Sequence, residues 1–159
     1  MSHWTELIFS KAYKYYHVGR VADSFNWFVK GALAGNTSCM IWVGVLYGDG
    51  IKPDFRNQKE IKWYKKAWKK GELSSANNLA IVYKNQRKYG LAEKWFKLAI
   101  AKGDGDANLE LAKLYIHLKA DKGIIIQYLN ETIESDYVTE ASAEEASSLM
   151  DKTLESGVI

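Results

Sequence analysis

The chain restates one pattern along most of its length, and the period of that pattern leaves few folds open. Trp95 and Phe96 are followed by Ala99, Ile100, Gly103, Ala107, Leu111, Ala112 and Tyr115. The same register runs from Trp63 through Tyr64, Ala67, Trp68, Gly71, Leu79, Ala80 and Tyr83. It runs earlier from Trp27 through Phe28, Gly31, Ala32, Gly35, Cys39, Val43, Gly44 and Tyr47. A worn copy opens at Tyr128, with Leu129, Thr132, Ile133 and Ser135. The opening residues are 36, 32 and 33 apart, a spacing that signals stacked helical hairpins.

At about 100° per residue, the tryptophan and the positions one, four and five beyond it share one stripe, so each unit opens with an amphipathic helix. Glycine ends that helix, because it enters the left-handed conformation at least cost. A second stripe follows four, eight, nine and twelve residues after the glycine, most clearly Ala107, Leu111, Ala112 and Tyr115. Neither stripe can be buried by its own helix, and stacking one hairpin on the next supplies the missing surface. The expected fold is all-α, a right-handed α/α solenoid of about eight helices. Trp27, Trp63 and Trp95 are expected to face the core, with Gly44, Ala80 and Ala112 letting backbones approach.

The whole chain, 1–159, reads as one solenoid domain. Residues 5–16 read as the second helix of a truncated first unit, and Asp23 as a cap or first-turn acid of the next helix. The glycine- and proline-containing stretch 47–54 reads as a loop without the ligand spacing of a calcium site. KNQRKYG after Tyr83 reads as a polar turn, and Asp104 or Asp106 as the cap of the following helix. Region 136–159 reads as a C-terminal cap whose thin stripe is Ala146, Leu149 and Met150.

With 47% hydrophobic and 26% charged residues, the chain has the composition of a soluble globular protein. A single cysteine excludes an intramolecular disulfide, and Cys39 sits at a small-residue position of its repeat, as a buried thiol would. No basic leader opens the sequence, and no apolar run approaches the roughly eighteen residues a membrane span needs. A cytoplasmic protein is the expectation.

The order of tryptophan, second aromatic, Ala, Gly, Ala, Leu-small pair and Tyr, with the loop GDGIKPD, resembles the Sel-like repeat, a relative of the tetratricopeptide repeat. Gly48, Gly50, Ile51 and Asp54 stand in the loop's family positions. The resemblance covers residues 5–135. It departs from the pattern by two extra residues after Asp54, by KNQRKYG after Tyr83, and by Tyr128 where the family has tryptophan. The resemblance implies a curved solenoid that binds other proteins, and it implies no reaction.

The residues themselves carry little chemistry. His3, His17 and His117 have no ligand at metal-like spacing, no serine or cysteine has a recognisable base, and the GDGD turn lacks the strand and lysine of a phosphate loop. Neither an enzyme nor a cofactor or metal is expected. Charge is more informative, because residues 52–102 carry a net +10 and residues 103–159 a net −8. The basic helix bearing Lys62, Lys65, Lys66 and Lys69 is a candidate steering surface for an acidic protein partner. Nucleic acid is the competing reading, although no nucleic-acid motif is present.

Positions three, seven, ten and fourteen residues after each glycine lie away from the second helix's stripe and are expected to line a groove. They are Ser38, Trp42, Val45 and Asp49, then Ser74, Asn78, Ile81 and Asn85, then Asp106, Glu110, Lys113 and His117. Trp42, Val45 and Ile81 are apolar where the repeat does not ask for it. Either the N-terminal helix covers them, or they form an apolar patch flanked by Asn78 and Asn85. The candidate protein-binding residues are therefore Trp42, Val45, Asn78, Ile81, Asn85, Glu110 and Lys113. The expected function is a protein-interaction module, as an adaptor or as an immunity protein whose partner is a toxin or effector.

Overall fold

The computed structural model describes residues 3–155. Nine α-helices account for most of them: α1 (His3–His17), α2 (Val21–Leu33), α3 (Thr37–Gly48), α4 (Gln58–Lys69), α5 (Ser74–Asn85), α6 (Tyr89–Ile100), α7 (Asp106–His117), α8 (Lys122–Ile133) and α9 (Glu140–Glu155). A 3-10 turn, Phe55–Asn57, precedes α4, and no strand occurs among the described residues. The helices fall where the periodicity predicts them, nine against an expected eight. Residues 156–159 of the expected cap lie outside the described residues.

The first seven helices end in the same way. After each, one residue takes a positive φ: Gly19, Gly35, Gly50, Gly71, Arg87, Gly103 and Lys119. The next amide then reaches back to the carbonyl five residues earlier. Examples are Arg20 N to Tyr15 O at 2.9 Å, Glu72 N to Ala67 O at 3.0 Å and Ala120 N to Tyr115 O at 2.9 Å. This double closure satisfies carbonyls that the helix itself leaves without partners. Glycine is expected there. Arg87 (φ 57°) and Lys119 (φ 53°) are not, and each adopts a conformation that costs an L-residue about 1–2 kcal/mol.

The chain divides into two compact units, residues up to Ser75 and from Ala76 onward. In the first, α1 packs on α2, α2 on α3 and α3 on α4. Ala12, Phe25, Phe28, Ala32, Met40, Val43 and Leu46 fill its core. Two glycines set the helix spacing. A Cβ on Gly31 would strike Cys39 Sγ, and one on Gly44 would enter the Tyr64 ring, 2.8 Å from its Cδ1. Asn36 caps α3 by accepting from Cys39 N at 2.8 Å and also donates to Thr5 O at 3.3 Å, which ties that helix start to α1. Asp23 is not a cap. It lies in the first turn of α2 and pairs with Arg20 at 2.8 Å.

Asp54 explains the loop before α4. Its carboxylate accepts from Lys59 N and Glu60 N, each at 2.8 Å, and so caps a helix whose own N-cap residue, Asn57, is left-handed. Glu60 is buried there. Burial pushes its carboxyl above the ordinary range, a 2.7 Å hydrogen bond from Asn57 opposes this, and Asp54 and Asp49 add repulsion.

The tryptophans sit shallower than the repeat suggests. Phe28, Tyr64 and Phe96, each one residue later, are the buried aromatics, while Trp27, Trp63 and Trp95 are half-buried. The buried arc is centred on the positions one and four beyond the tryptophan, so a 100° step leaves the indole on its edge. Lys11 and Lys30 lie 4.1 and 4.4 Å from the Trp27 ring centre, and Lys66 lies 4.6 Å from that of Trp63. Those rings shield the core and carry ammonium groups on their outer faces.

In the second unit α6 packs on α7, α7 on α8, and α9 on α8 and α7. Leu109, Ala112, Ile125, Leu129, Ala146 and Met150 form one core, with Leu149 partly buried against it, as the expected cap stripe requires. Asp121 caps α8 by accepting from Gly123 N and Ile124 N. Of the two acids before α7, Asp104 accepts from Ala107 N at 3.2 Å, whereas Asp106 accepts from Thr139 N and Oγ1 and anchors the approach to α9.

Two comparisons check this packing. Gly44→Ala should destabilise the chain by about 1–3 kcal/mol, whereas Gly90→Ala should stabilise it by about 0.5–1 kcal/mol, because the α6 site is open and a helical glycine is entropically unfavourable. Phe28→Ala should cost about 3–5 kcal/mol and clearly more than Trp27→Ala. Denaturant titration measures both pairs, and equal losses at Phe28 and Trp27 would contradict the assigned depths.

Candidate protein-binding site

In the second unit, the end of α5, the left-handed turn after it, the start of α6 and the outer face of α7 enclose a pocket of about 340 Å³. Lys84, Asn85, Arg87, Tyr89, Lys113, Leu114 and His117 line it. Helical spacing places Lys113, Leu114 and His117 on adjacent turns of one face. The left-handed Arg87 turns the chain so that Tyr89 returns over α7. Its hydroxyl lies 3.0 Å from His117 Nε2, with the rings 5.5 Å apart.

One part-buried carboxylate organises the cations. Glu110 accepts from Lys84 at 2.5 Å and from Lys113 at 3.0 Å, and Lys113 also donates to Glu145 on α9 at 2.7 Å. Burial alone would raise the Glu110 carboxyl, but the two ammonium hydrogen bonds outweigh it and hold the group below the ordinary range. At Lys113 burial disfavours the charge, and the bonds to Glu145 and Glu110 reverse that and raise its proton affinity. The wall thus carries Lys84, Arg87 and Lys113 and no carboxylate. Lys84 and Lys113 are already paired with Glu110 and Glu145, so Arg87 is the cation that an entering anionic group would meet, beside the apolar surface of Tyr89 and Leu114.

The structure gathers some of the sequence-predicted residues here. Asn85 and Lys113 line the pocket, and Glu110 lies behind it, tying Lys84 to Lys113. Asn78 and Ile81 are part-exposed on α5, and Val45 is part-exposed on α3 of the first unit. Lys62, Lys65, Lys66 and Lys69 are exposed on α4, within about 100° of one another around its axis. Lys84, Arg87, Tyr89 and Leu114 fall outside the predicted groove positions, whereas His117, a groove position outside the candidate set, lines the pocket. The available signal was KNQRKYG itself, in which arginine stands where five of the other six turns place glycine.

Of the two readings of Trp42, cover by the N-terminal helix is the one its surroundings fit. Its ring stacks on Phe28 at 5.2 Å and 4°, and meets Tyr16 at 4.9 Å and Tyr13 at 5.4 Å edge-on. It is half-buried between α1 and α2, so the N-terminal helix covers it, and it is not an open groove residue. Cys39 is fully buried, and burial pushes its thiol up to about 12, leaving no thiolate for nucleophilic chemistry near neutrality. Among the described residues, no three His, Cys, Asp or Glu side chains converge as a metal site requires. No helix among them is long and apolar enough to cross a membrane.

No protein-family model matches the chain, and no curated protein matches it significantly. Solved structures do. A Sel1 repeat protein from Oxalobacter formigenes superposes with a TM-score of 0.66 at 18% identity, over 93% of this chain and 73% of that one. A tetratricopeptide repeat protein from Parabacteroides merdae gives 0.69 at 14% identity, over 96% and 61%. A protective antigen of uropathogenic Escherichia coli with an SLR fold gives 0.66 at 18% identity, over 96% and 42%. The chain spans less than two thirds of the last two. At these identities the likeness shows the fold, an all-α solenoid of the Sel-like and tetratricopeptide type.

Two substitutions test the local energetics. Glu110→Gln should destabilise the protein by about 1–3 kcal/mol at neutral pH, since two part-buried ammonium groups lose their charged acceptor. Because the folded carboxyl is the stronger acid, that stabilisation is present above the unfolded value of about 4.3 and disappears as pH falls through the lower folded value. The gap between wild type and variant should therefore close in acid, and a pH-independent gap would contradict the pairing. Trp42→Ala should lower the melting temperature by several degrees, in line with a lost aromatic cluster, whereas an unchanged melt would return Trp42 to the surface.

Proposed function

We propose that this chain is a non-catalytic protein-interaction module that takes an acidic segment of a protein partner, acting in the cytoplasm as an adaptor or as an immunity protein that neutralises a toxin or effector. The observation that carries this reading is the second-unit pocket, whose wall holds Lys84, Arg87 and Lys113 beside Tyr89 and Leu114 with no carboxylate among them. Its volume suits a carboxylate-bearing side chain or a chain end. The fold supports the reading too, since Sel-like and tetratricopeptide repeats generally serve as protein-binding scaffolds. On α4, the exposed Lys62, Lys65, Lys66 and Lys69 supply a field that favours the approach of an acidic partner. Val45, Asn78 and Ile81 are proposed to add apolar and amide contacts, each within its own unit.

The test begins with cross-linking and capture of partners by the tagged protein in its own cells, followed by purified binding measurements. Arg87→Glu should weaken binding at least tenfold without changing the melt, and Lys62→Glu with Lys69→Glu should slow association. Association should also slow as salt rises toward about 0.5 M. A partner that binds all variants alike would overturn the proposal, as would tight binding to random duplex DNA in the same buffer. A toxin encoded immediately upstream would favour the immunity role over the adaptor role.

A further inference from the structure

On the outer side of α1, Trp4, Leu7, Lys11, Lys14 and Val18 follow one another at intervals of three and four residues and share one narrow stripe. The buried residues of α1, Thr5, Ile8 and Ala12, lie on a neighbouring arc centred about 110° away. Trp4 is 62% exposed and Leu7 55%, an unusual exposure for an indole and a neighbouring leucine on a regular helix. Lys11 and Lys14 flank a shallow cavity of about 350 Å³ on the same side, together with Tyr15, Val18 and Arg20. The stripe is therefore apolar at the start of the helix and basic in its second half.

The outer side of α9 has the complementary character. Ala146, Met150 and Thr153 face inward. Glu140, Glu144, Asp151 and Glu155 lie within about 60° of one another on the exposed side, next to Ser147, Ser148 and the 56%-exposed Leu154. Aligned antiparallel with Lys11 and Lys14 against Glu144 and Glu140, α1 sets Leu7 beside the small Ser147 and Ser148 and Trp4 beside Asp151, one turn short of Leu154. Antiparallel alignment also sets the helix dipoles favourably.

We propose that these faces are the two halves of one interface, and that a second copy of this chain docks through it, α1 of one protomer against α9 of the other. The contact is heterologous, so each protomer keeps one face of each kind free for a further copy until the assembly closes or extends. This is independent of the partner pocket, which uses neither face.

Sedimentation velocity over about a hundredfold range of protein concentration reads the outcome. The wild type should associate with concentration at about 0.05 M salt and dissociate toward about 0.5 M. Lys11→Glu with Lys14→Glu should abolish association, and so should Glu140→Lys with Glu144→Lys. An equimolar mixture of these two folded variants should restore it, because each then offers the face the other needs. Trp4→Ala with Leu7→Ala, which removes only exposed side chains, should weaken association at least tenfold with an unchanged melt, and it keeps the proposal testable if a charge variant misfolds. A wild type that stays monomeric throughout would overturn the proposal, as would assembly that survives either reversal or a mixture of folded variants that fails to associate.

Discussion

The constraint on which the structure depends is the left-handed closure after each of the first seven helices. A helix that ends this way spends its last carbonyls on the two amides that follow, and the chain is redirected within three residues. Because α3 to α8 are all twelve residues long, the redirected chain presents its apolar arc at the same phase each time. Stripe, turn and stripe then repeat without any long-range instruction, and burial stabilises what the turns have already aimed. The two closures made by Arg87 and Lys119 show that the geometry is preserved even where the residue is unfavourable. At Arg87 the unfavourable residue also stands in the wall of the candidate pocket, in keeping with backbone strain gathering where a side chain must be aimed.

Charge is arranged with the same economy. Glu110 is the shared acceptor of two lysines, one on α5 and one on its own helix, and its partial burial makes the bonds stronger than fully exposed pairs. Removing one carboxylate from the wall and placing it behind the wall gives a basic surface over an acidic support. Positive charge can then face solvent without the lysines repelling each other freely. Elsewhere the acids act through the backbone. Asp54, Asp104 and Asp121 each accept from amides at a helix start, where the peptide dipoles favour negative charge.

What could be read in the sequence was what local geometry decides. The helix positions, the glycine turns, the close approach at Gly44 and the apolar stripe of α9 all follow from 3.6-residue periodicity and from glycine's backbone freedom. What could not be read depends on neighbours. The step between Trp27 and Phe28 is one residue, and only the packed partner decides which of them lies at the centre of the arc. Trp42 points away from its own helix's stripe, but α1 provides a second covering surface on that side. Asp54 caps a helix start five and six residues ahead, beyond the reach of a simple capping motif. The pocket joins three segments of the second unit, and beyond the groove positions Asn85, Lys113 and His117 only Arg87 left a mark, as an arginine in a glycine's place.

Cys39 is the only thiol in the chain, and it lies fully buried in the first unit with its sulfur against the backbone of Gly31. A thiol held so far from ionisation, without solvent access, reacts with an alkylating reagent only when that packing opens. The rate of its modification therefore records opening of the first unit and is silent to opening confined to the second. The chain thus contains its own spectroscopically simple clock for one half of its unfolding, and a cysteine introduced at an exposed site could be labelled selectively while the native thiol stays dark.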